Sequence, residues 1–217
     1  MKTVIGLAGV KTSGKTTVSD IIMELISNSK ESALADKLKN VSAEAFGLSR
    51  DSFDLQSLKE VPFNSGPKFF NSNSIKSILD GFGIECDKTL LNKITKSLVN
   101  TPLETPRRIA QIVGTELLRV YGTPDIHCEQ VSLYDDITII SDIRFTNEFE
   151  YFNKLENIKF IPLYIHRQGA EKVVDLKTSH ASETSVFEFN HKCKMINNNG
   201  TIDSTKEQII KSLQGLV

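Results

Sequence analysis

The chain has 217 residues, 39% of them hydrophobic and 24% charged, with a formal net charge of −1; these are ordinary proportions for a globular protein with one sizeable core. The near-neutral balance argues against a strongly basic nucleic-acid binder. No apolar run approaches the about 20 residues needed to span a bilayer.

"TVIGLA" (residues 3–8) is a short, β-branched apolar run and reads as a buried strand. "KTTVSDIIMELI" follows as a helix, with Val18, Ile21, Ile22 and Leu25 at helical spacing. "ESALA" (31–35) reads as a short second strand, and "DKLKNVSAEAFGL" as a helix ending near Gly47. Residues 49–105 are broken by turns; "VPFNSGPKFFNSNS" carries exposed-looking aromatics and "LLNKITKSLV" looks helical, so the stretch reads as a helical insertion without a core of its own. "TPRRIAQIVGTELLRVYG" opens a helix, with Thr105 as cap and Pro106 where its missing N–H costs nothing. Its inward positions are predicted at Ile109, Ile112, Val113, Leu117 and Val120. "DITIISD" (136–142) is a strand ending in an acid, "TNEFEYFNKL" a helix and "KFIPLYIHR" (159–167) another strand. A polar loop, "QGAEKVVDLKTSHASE", leads to a last strand, "CKMINN"; Ser204 and Glu207 form a capping box for the final helix. Strands alternating with helices imply a parallel sheet with helices on both faces. The N-terminus lacks the layout of a signal peptide. Cys86, Cys128 and Cys193 stand far apart without a CxxC pair, which fits a reducing cytoplasm better than a disulfide framework.

Between the first strand and first helix, Gly9, Gly14, Lys15 and Thr16 match G-x-x-x-x-G-K-[ST]. Glycines let backbone N–H groups curl around phosphate oxygens that side chains would obstruct. The helix presents its positive end to the anion. Lys15 neutralises β- and γ-phosphates as a point charge, and the Thr16 hydroxyl is the expected Mg²⁺ ligand. Residues 9–17 (Gly9, Val10, Lys11, Thr12, Ser13, Gly14, Lys15, Thr16 and Thr17) are thus the candidate ATP site. The string nearest to the guanine-reading NKxD is "NKIT" (92–95), which has Thr where Asp is needed, so a GTPase is rejected. A motor or helicase is usually larger. One phosphate loop, a helical insertion and a late polar loop in a small chain suit a nucleoside monophosphate kinase, whose lid excludes water from the phosphates.

The chain resembles the bacteriophage deoxynucleoside monophosphate kinases. The likeness rests on "LAGVKTSGKTT", "LADKLK", "RRIAQIVGTEL", "SDIRFTNE", "HRQG", "SHASE" and "INNNGT", in that order over most of the chain. It lapses between about residues 49 and 101, and Thr16 stands where family members often have Asp. The resemblance implies a three-layer P-loop fold, a five-stranded parallel sheet of order 2-3-1-4-5. It implies one domain over 1–217, with an acceptor-binding insertion at about 36–122 and a lid-like loop at about 167–190. The expected reaction is γ-phosphoryl transfer from ATP to a dNMP with Mg²⁺. The partners expected are ATP and a nucleoside monophosphate, with no nucleic acid and no membrane. A homodimer is the family's suggestion, and host cytoplasm the expected location.

Residue roles follow from the same resemblance. Arg107 or Arg108 would grip the acceptor's phosphate, as guanidinium forks suit phosphate oxygens; the alternative is a solvated pair. Gln111, a turn further on, can read a base edge or merely cover the helix surface. Gly114 and Thr115 serve either close packing or ligand contact. Asp142 at a strand end can order Mg²⁺ water, orient the acceptor or cap a helix. Arg144 can bridge phosphates in the transition state or tie to Glu148, itself a candidate acceptor contact. Arg167 enters the lid-like loop as a cation for the transferring group, with Lys172 and Lys177 left open; His180 and Glu183 match the family pattern without a derivable role. Asn198 and Gly200 would wrap the adenine or simply form a turn. Lys39 would touch the acceptor phosphate, and Asp36 reads as a cap. Two rivals stand beside this: a dephospho-coenzyme A kinase type, and a nucleotide sensor without turnover.

Overall fold

The computed structural model describes residues 1–170 and 179–216. The elements begin with β1 (Lys2–Ala8), α1 (Lys15–Leu25) and β2 (Ser29–Ser32). Helices follow: α2 (Asp36–Phe46), α3 (Asp51–Asp54), α4 (Gln56–Lys59), α5 (Ser72–Gly81), α6 (Lys88–Leu98) and α7 (Pro106–Ile112). A π-helical turn at Val113–Leu118 leads into α8 (Arg119–Tyr121), and α9 is Ile126–Glu129. Then come β3 (Ile137–Ile143), α10 (Thr146–Lys154), β4 (Ile158–His166), α11 (Ala181–Thr184), α12 (Val186–Phe189), β5 (Lys194–Asn197) and α13 (Ile202–Ser212). The chain divides into two compact units, Met1–Leu34 with Cys128–Val217, and Ala35–His127.

The first unit is a five-stranded sheet of order β2-β3-β1-β4-β5, parallel at every pairing. That is the order the resemblance implied. Both faces are covered. Ile5 and Leu7 of β1 join α1 residues Val18, Ile21 and Ile22 and α13 residue Ile209 in one core. Val4 and Ala8, alternate residues of the same strand, join Phe149 and Phe152 of α10 and Phe189 of α12 in another. Alternation sends successive side chains to opposite faces, and each large apolar group so buried is worth about 1.5–3 kcal/mol. Among the described residues, no helix is long and apolar enough to cross a membrane.

The second unit is helical around its own apolar cluster. Phe53, Phe70, Ile75, Ile78 and Leu79 pack with Leu38 of α2 and with Ile109, Ile112 and Leu117. Residues 49–105 therefore find their core by sharing it with the helices that flank them. Asn71 starts α5 with a reciprocal cap, its side chain accepting from Ser74 N while Ser74 Oγ accepts from Asn71 N.

Local expectations are corrected in four places. β2 lies earlier than "ESALA". Val120 is 65% exposed rather than inward, because the π turn adds a residue to the helical repeat and moves the inward position to Tyr121, which packs on the cluster. Phe70, in the stretch read as exposed aromatics, is buried. The last helix starts at Ile202, with Thr201 accepting from Ser204 N as the cap, in place of the predicted Ser204–Glu207 box.

Candidate functional site

In the sheet unit, the loop between β1 and α1 emerges at the carboxyl end of the central strand, where open parallel sheets bind ligands. Its backbone is shaped by three residues of positive φ: Gly9 (151°), Thr12 (65°) and Gly14 (96°). Thr12 is the only non-glycine of this kind among the described residues, and its hydroxyl donates to the Lys11 carbonyl at 2.6 Å. A Cβ on Gly9 would come within 2.7 Å of the Ile165 carbonyl and of Ser13 Oγ, so this position needs glycine both for its dihedral and for its space. Lys15 Nζ donates to the carbonyls of Gly9 at 2.7 Å and Val10 at 2.9 Å. The ammonium thus spans the mouth of the loop, clamped by the main chain. Thr16 and Thr17 are exposed in the first turn of α1. Ser13 Oγ is buried with no hydrogen-bond partner.

Asn198, after β5, reaches this loop: its Nδ2 donates to the Ser13 carbonyl at 2.9 Å. Gly200 lies at the turn into α13, where a Cβ would meet Ser204 Oγ at 2.5 Å.

The end of β3 lies beside β1, with Ile143 paired to Ala8. Asp142 Oδ1 accepts from Leu34 N at 2.7 Å, fixing the chain after β2. Glu148 is buried, and its Oε2 accepts from the backbone N–H groups of Arg144 at 2.7 Å and Phe145 at 3.0 Å. It shapes the β3–α10 loop. The tie between Arg144 and Glu148 thus runs through the main chain. The Arg144 guanidinium instead lies 3.7 Å from Glu183 and donates to the Ser182 carbonyl at 3.5 Å. This gives Glu183 the partner that sequence left undefined. His180 Nδ1 accepts from Ser182 N at 3.2 Å and so caps α11. Arg167 is exposed just past β4, the strand on the other side of β1. The β1–α1 loop, Asn198, Asp142 and Arg167 thus share the carboxyl edge of one sheet. Lys172 and Lys177 lie outside the described residues.

In the helical unit, Lys39 Nζ is 2.9 Å from Asp54 Oδ1. Arg50 bridges Asp36 and Asp54 at 2.8 Å each, so Asp36, read as a cap, is an ion-pair partner. Burial alone would raise the Asp54 pKa, yet hydrogen bonds and charges from Lys39 and Arg50 bring it below the ordinary value. Arg107 Nε lies 2.6 Å from Glu60 Oε1, without hydrogen-bond alignment at that nitrogen. Arg108 follows it in the first turn of α7, started by Thr105, whose hydroxyl accepts from Arg108 N at 3.1 Å. Gln111 is half-buried on the same helix, and Thr115 stands in the π turn. His127, given no role from sequence, is buried. One ring nitrogen, Nε2, is 3.1 Å from the Gly114 carbonyl of that turn. Burial, with the nearby Arg119 charge, pushes its pKa down to about 4.

Comparison with known proteins bears out the resemblance drawn from the motifs. The chain is similar to a deoxynucleoside-5'-monophosphate kinase of Escherichia phage T5, at 24% identity over 215 residues, covering 86% of each chain. It is also similar to a putative deoxynucleotide monophosphate kinase of Acanthamoeba polyphaga mimivirus, at 27% identity over 223 residues, covering 95% of this chain and 93% of the relative. The crystal structure of TT1252 from Thermus thermophilus aligns over 98% of this chain and 96% of its own, at 13% identity and a TM-score of 0.40. No protein-family model matches the chain.

Proposed function

We propose that the protein is a deoxynucleoside monophosphate kinase, transferring the γ-phosphoryl group of ATP to a dNMP to give ADP and a dNDP. The observation that carries the reading is the loop of residues 9–17: its backbone has the positive dihedrals a phosphate cradle needs, and its lysine is anchored on main-chain carbonyls at the mouth of α1. The two viral relatives whose names include a monophosphate kinase support the acceptor class.

Bound triphosphate would draw Lys15 Nζ from the Gly9 and Val10 carbonyls to the β- and γ-phosphate oxygens, exchanging neutral acceptors for charged ones. The backbone N–H groups of the loop and the start of α1 add fixed positive dipoles. Thr16, exposed in the first turn, would hold Mg²⁺; a hydroxyl together with phosphate oxygens is the hard-oxygen set this cation prefers. Once bound there, Mg²⁺ would supply positive charge against the phosphate oxygens. Asp142 and Arg167, at the strand ends flanking β1, are the candidates to orient the acceptor and to balance charge on the transferring group; Arg144 joins them if it leaves Glu183. Lys39, Arg107, Arg108, Gln111 and Thr115 of the helical unit are the acceptor-binding candidates. An acceptor phosphate oxygen bonds to Pγ as the bond from Pγ to the β–γ bridging oxygen breaks, and that electron pair leaves on ADP. No covalent enzyme intermediate is required; positioning and charge neutralisation do the catalysis.

The test is ADP release measured with ATP, Mg²⁺ and a panel of dNMPs, NMPs and dephospho-coenzyme A. Turnover with at least one dNMP is expected. Turnover with dephospho-coenzyme A alone would replace the acceptor class. ATP binding with no turnover on any acceptor would make the chain a nucleotide sensor.

A further inference from the structure

A tether crosses the sheet unit to the phosphate loop from the far end of the sequence. Asn198 is 185 residues from Ser13, yet its Nδ2 donates to the Ser13 carbonyl at 2.9 Å. The other end of the amide is also met: Thr205 Oγ1, on α13, lies 3.2 Å from Asn198 Oδ1 and 3.2 Å from the Thr201 carbonyl, and shares its one proton between them. The Asn198 backbone N–H extends the β4–β5 edge by donating to the His166 carbonyl at 2.8 Å. Main chain, amide oxygen and amide nitrogen are therefore each engaged. The orientation of the amide follows from its neighbours, because a flipped amide would set oxygen against the Ser13 carbonyl and lose the donor. Thr205 is buried, at 1% exposure, so it works from beneath and cannot touch a ligand in solution.

The loop is built around this contact. A Cβ on Gly14 would run into Asn198 Nδ2. Gly14 is thus required twice, by its left-handed dihedral and by the amide lying against it. The peptide that the tether grips joins Ser13 to Gly14, immediately before Lys15 and the first turn of α1. A shift in that peptide re-aims both the lysine and the N–H groups that follow.

We infer that Asn198 is a positioning residue for the triphosphate, acting through the Ser13 carbonyl rather than by contact with the base, and that Thr205 sets its amide. The inference rests on the donor site proposed above and deepens it. It predicts that the tether supports binding of the phosphate chain whether or not a nucleoside is attached, which a base contact would not do.

The experiment compares ATP with inorganic tripolyphosphate, which has no base, by calorimetric titration of the full chain and its Asn198→Ala variant. Both ligands are expected to weaken together by about tenfold, the scale of one lost hydrogen bond and the loosening it permits. A variant that loses ATP affinity but keeps that for tripolyphosphate would return Asn198 to a base contact and overturn the inference. So would a variant that binds both as the parent does. Thr205→Val, which removes the hydroxyl without approaching the ligand, is expected to weaken both in the same direction by a smaller factor, and Thr205→Ser to restore them; it replaces the first variant should that fail to fold. Amide hydrogen exchange without ligand provides a separate reading: residues 10–14 are expected to exchange faster in either variant, and unchanged exchange sinks the tether. If the parent protein binds neither ligand, the donor site falls, while the exchange result still decides whether Asn198 holds the loop.

Discussion

The two units hold their candidate groups by different means. In the sheet unit the β1–α1 loop is a main-chain object: three positive dihedrals, at Gly9, Thr12 and Gly14, set its course, and Lys15 rests on carbonyls. In the helical unit two of the candidate cations, Lys39 and Arg107, rest on carboxylates. Lys39 is paired with Asp54, Arg107 with Glu60, and Arg50 with both Asp36 and Asp54. A backbone cradle has already met its ordering cost on folding, so an anion gains from it directly. A cation already paired must exchange one anion for another, and the gain is only the difference. The sheet unit should therefore lose function sharply when one side chain is removed, whereas the helical unit should respond in smaller steps that mix binding with stability.

Lys15→Ala should break function most severely. With the cradle kept and the Lys15 ammonium gone, kcat/KM for phosphoryl transfer should fall by about 10²–10³, the cost of removing a key electrostatic group. Thermal stability should change little, because this half-buried side chain donates to carbonyls of its own loop. A steady-state assay beside a melting curve checks both. A variant that keeps most of its activity would mean that the loop does not bind the donor.

The next largest effect belongs to the helical unit and concerns acid. His127 is buried against the π turn with a pKa near 4, below its unfolded value of about 6.5. Its neutral form is the one the fold accepts. The corresponding stability is therefore fully present above about pH 6.5 and lost as pH falls toward 4, where the folded state must also take up the proton. The shift corresponds to ~3 kcal/mol across that window. Urea midpoints at pH 7 and pH 4.5 should fall further for the parent protein than for His127→Gln, which keeps an N–H for the Gly114 carbonyl without titrating. Equal pH dependence in the two proteins would remove His127 as the cause. Faster amide exchange at 109–118 on acidification would place the loss in this unit.

The contrast also explains how much the sequence disclosed. The course of the β1–α1 loop was legible because its positive dihedrals require particular residue types, glycines above all. The long strands β1, β3 and β4 were legible as apolar runs, and the sheet order followed from the resemblance those motifs carry. β2 was misplaced because "SKES" has no apolar signal: the strand exists through its ladder with β3, pairing Ser29 with Ile137. Val120 was misjudged because a π turn changes the period that the inward positions obey, and no residue in "VGTELL" announces it. The Asn198 tether was illegible for a different reason. It joins positions far apart in the chain, and an Asn two residues before a glycine reads locally as a turn. The ion pairs of Lys39 and Arg107 are equally long-range in kind; sequence marks the charges, and only the fold chooses their partners.

The smallest effect separates the adjacent arginines of α7. Arg107 is held beside Glu60, while among the described residues the Arg108 guanidinium has no acidic partner. If Arg108 is the acceptor's phosphate ligand, Arg108→Ala should raise the acceptor KM by about tenfold, the loss of a charged hydrogen bond, with the ATP KM and the melting temperature unchanged. Arg107→Ala should behave differently. It removes the contact between Arg107 and Glu60, so some stability should be lost along with any change in acceptor KM, although a pair whose carboxylate is exposed is worth only about 0–1 kcal/mol. Glu60→Gln sharpens the distinction by releasing Arg107 without deleting it. An acceptor KM that falls in Glu60→Gln would mean that Glu60 competes with the substrate for Arg107, and the paired arginine would then be the phosphate ligand. An acceptor KM that stays constant in Glu60→Gln and rises in Arg108→Ala would leave Arg107 as a strut of the helical unit and give the phosphate to its neighbour.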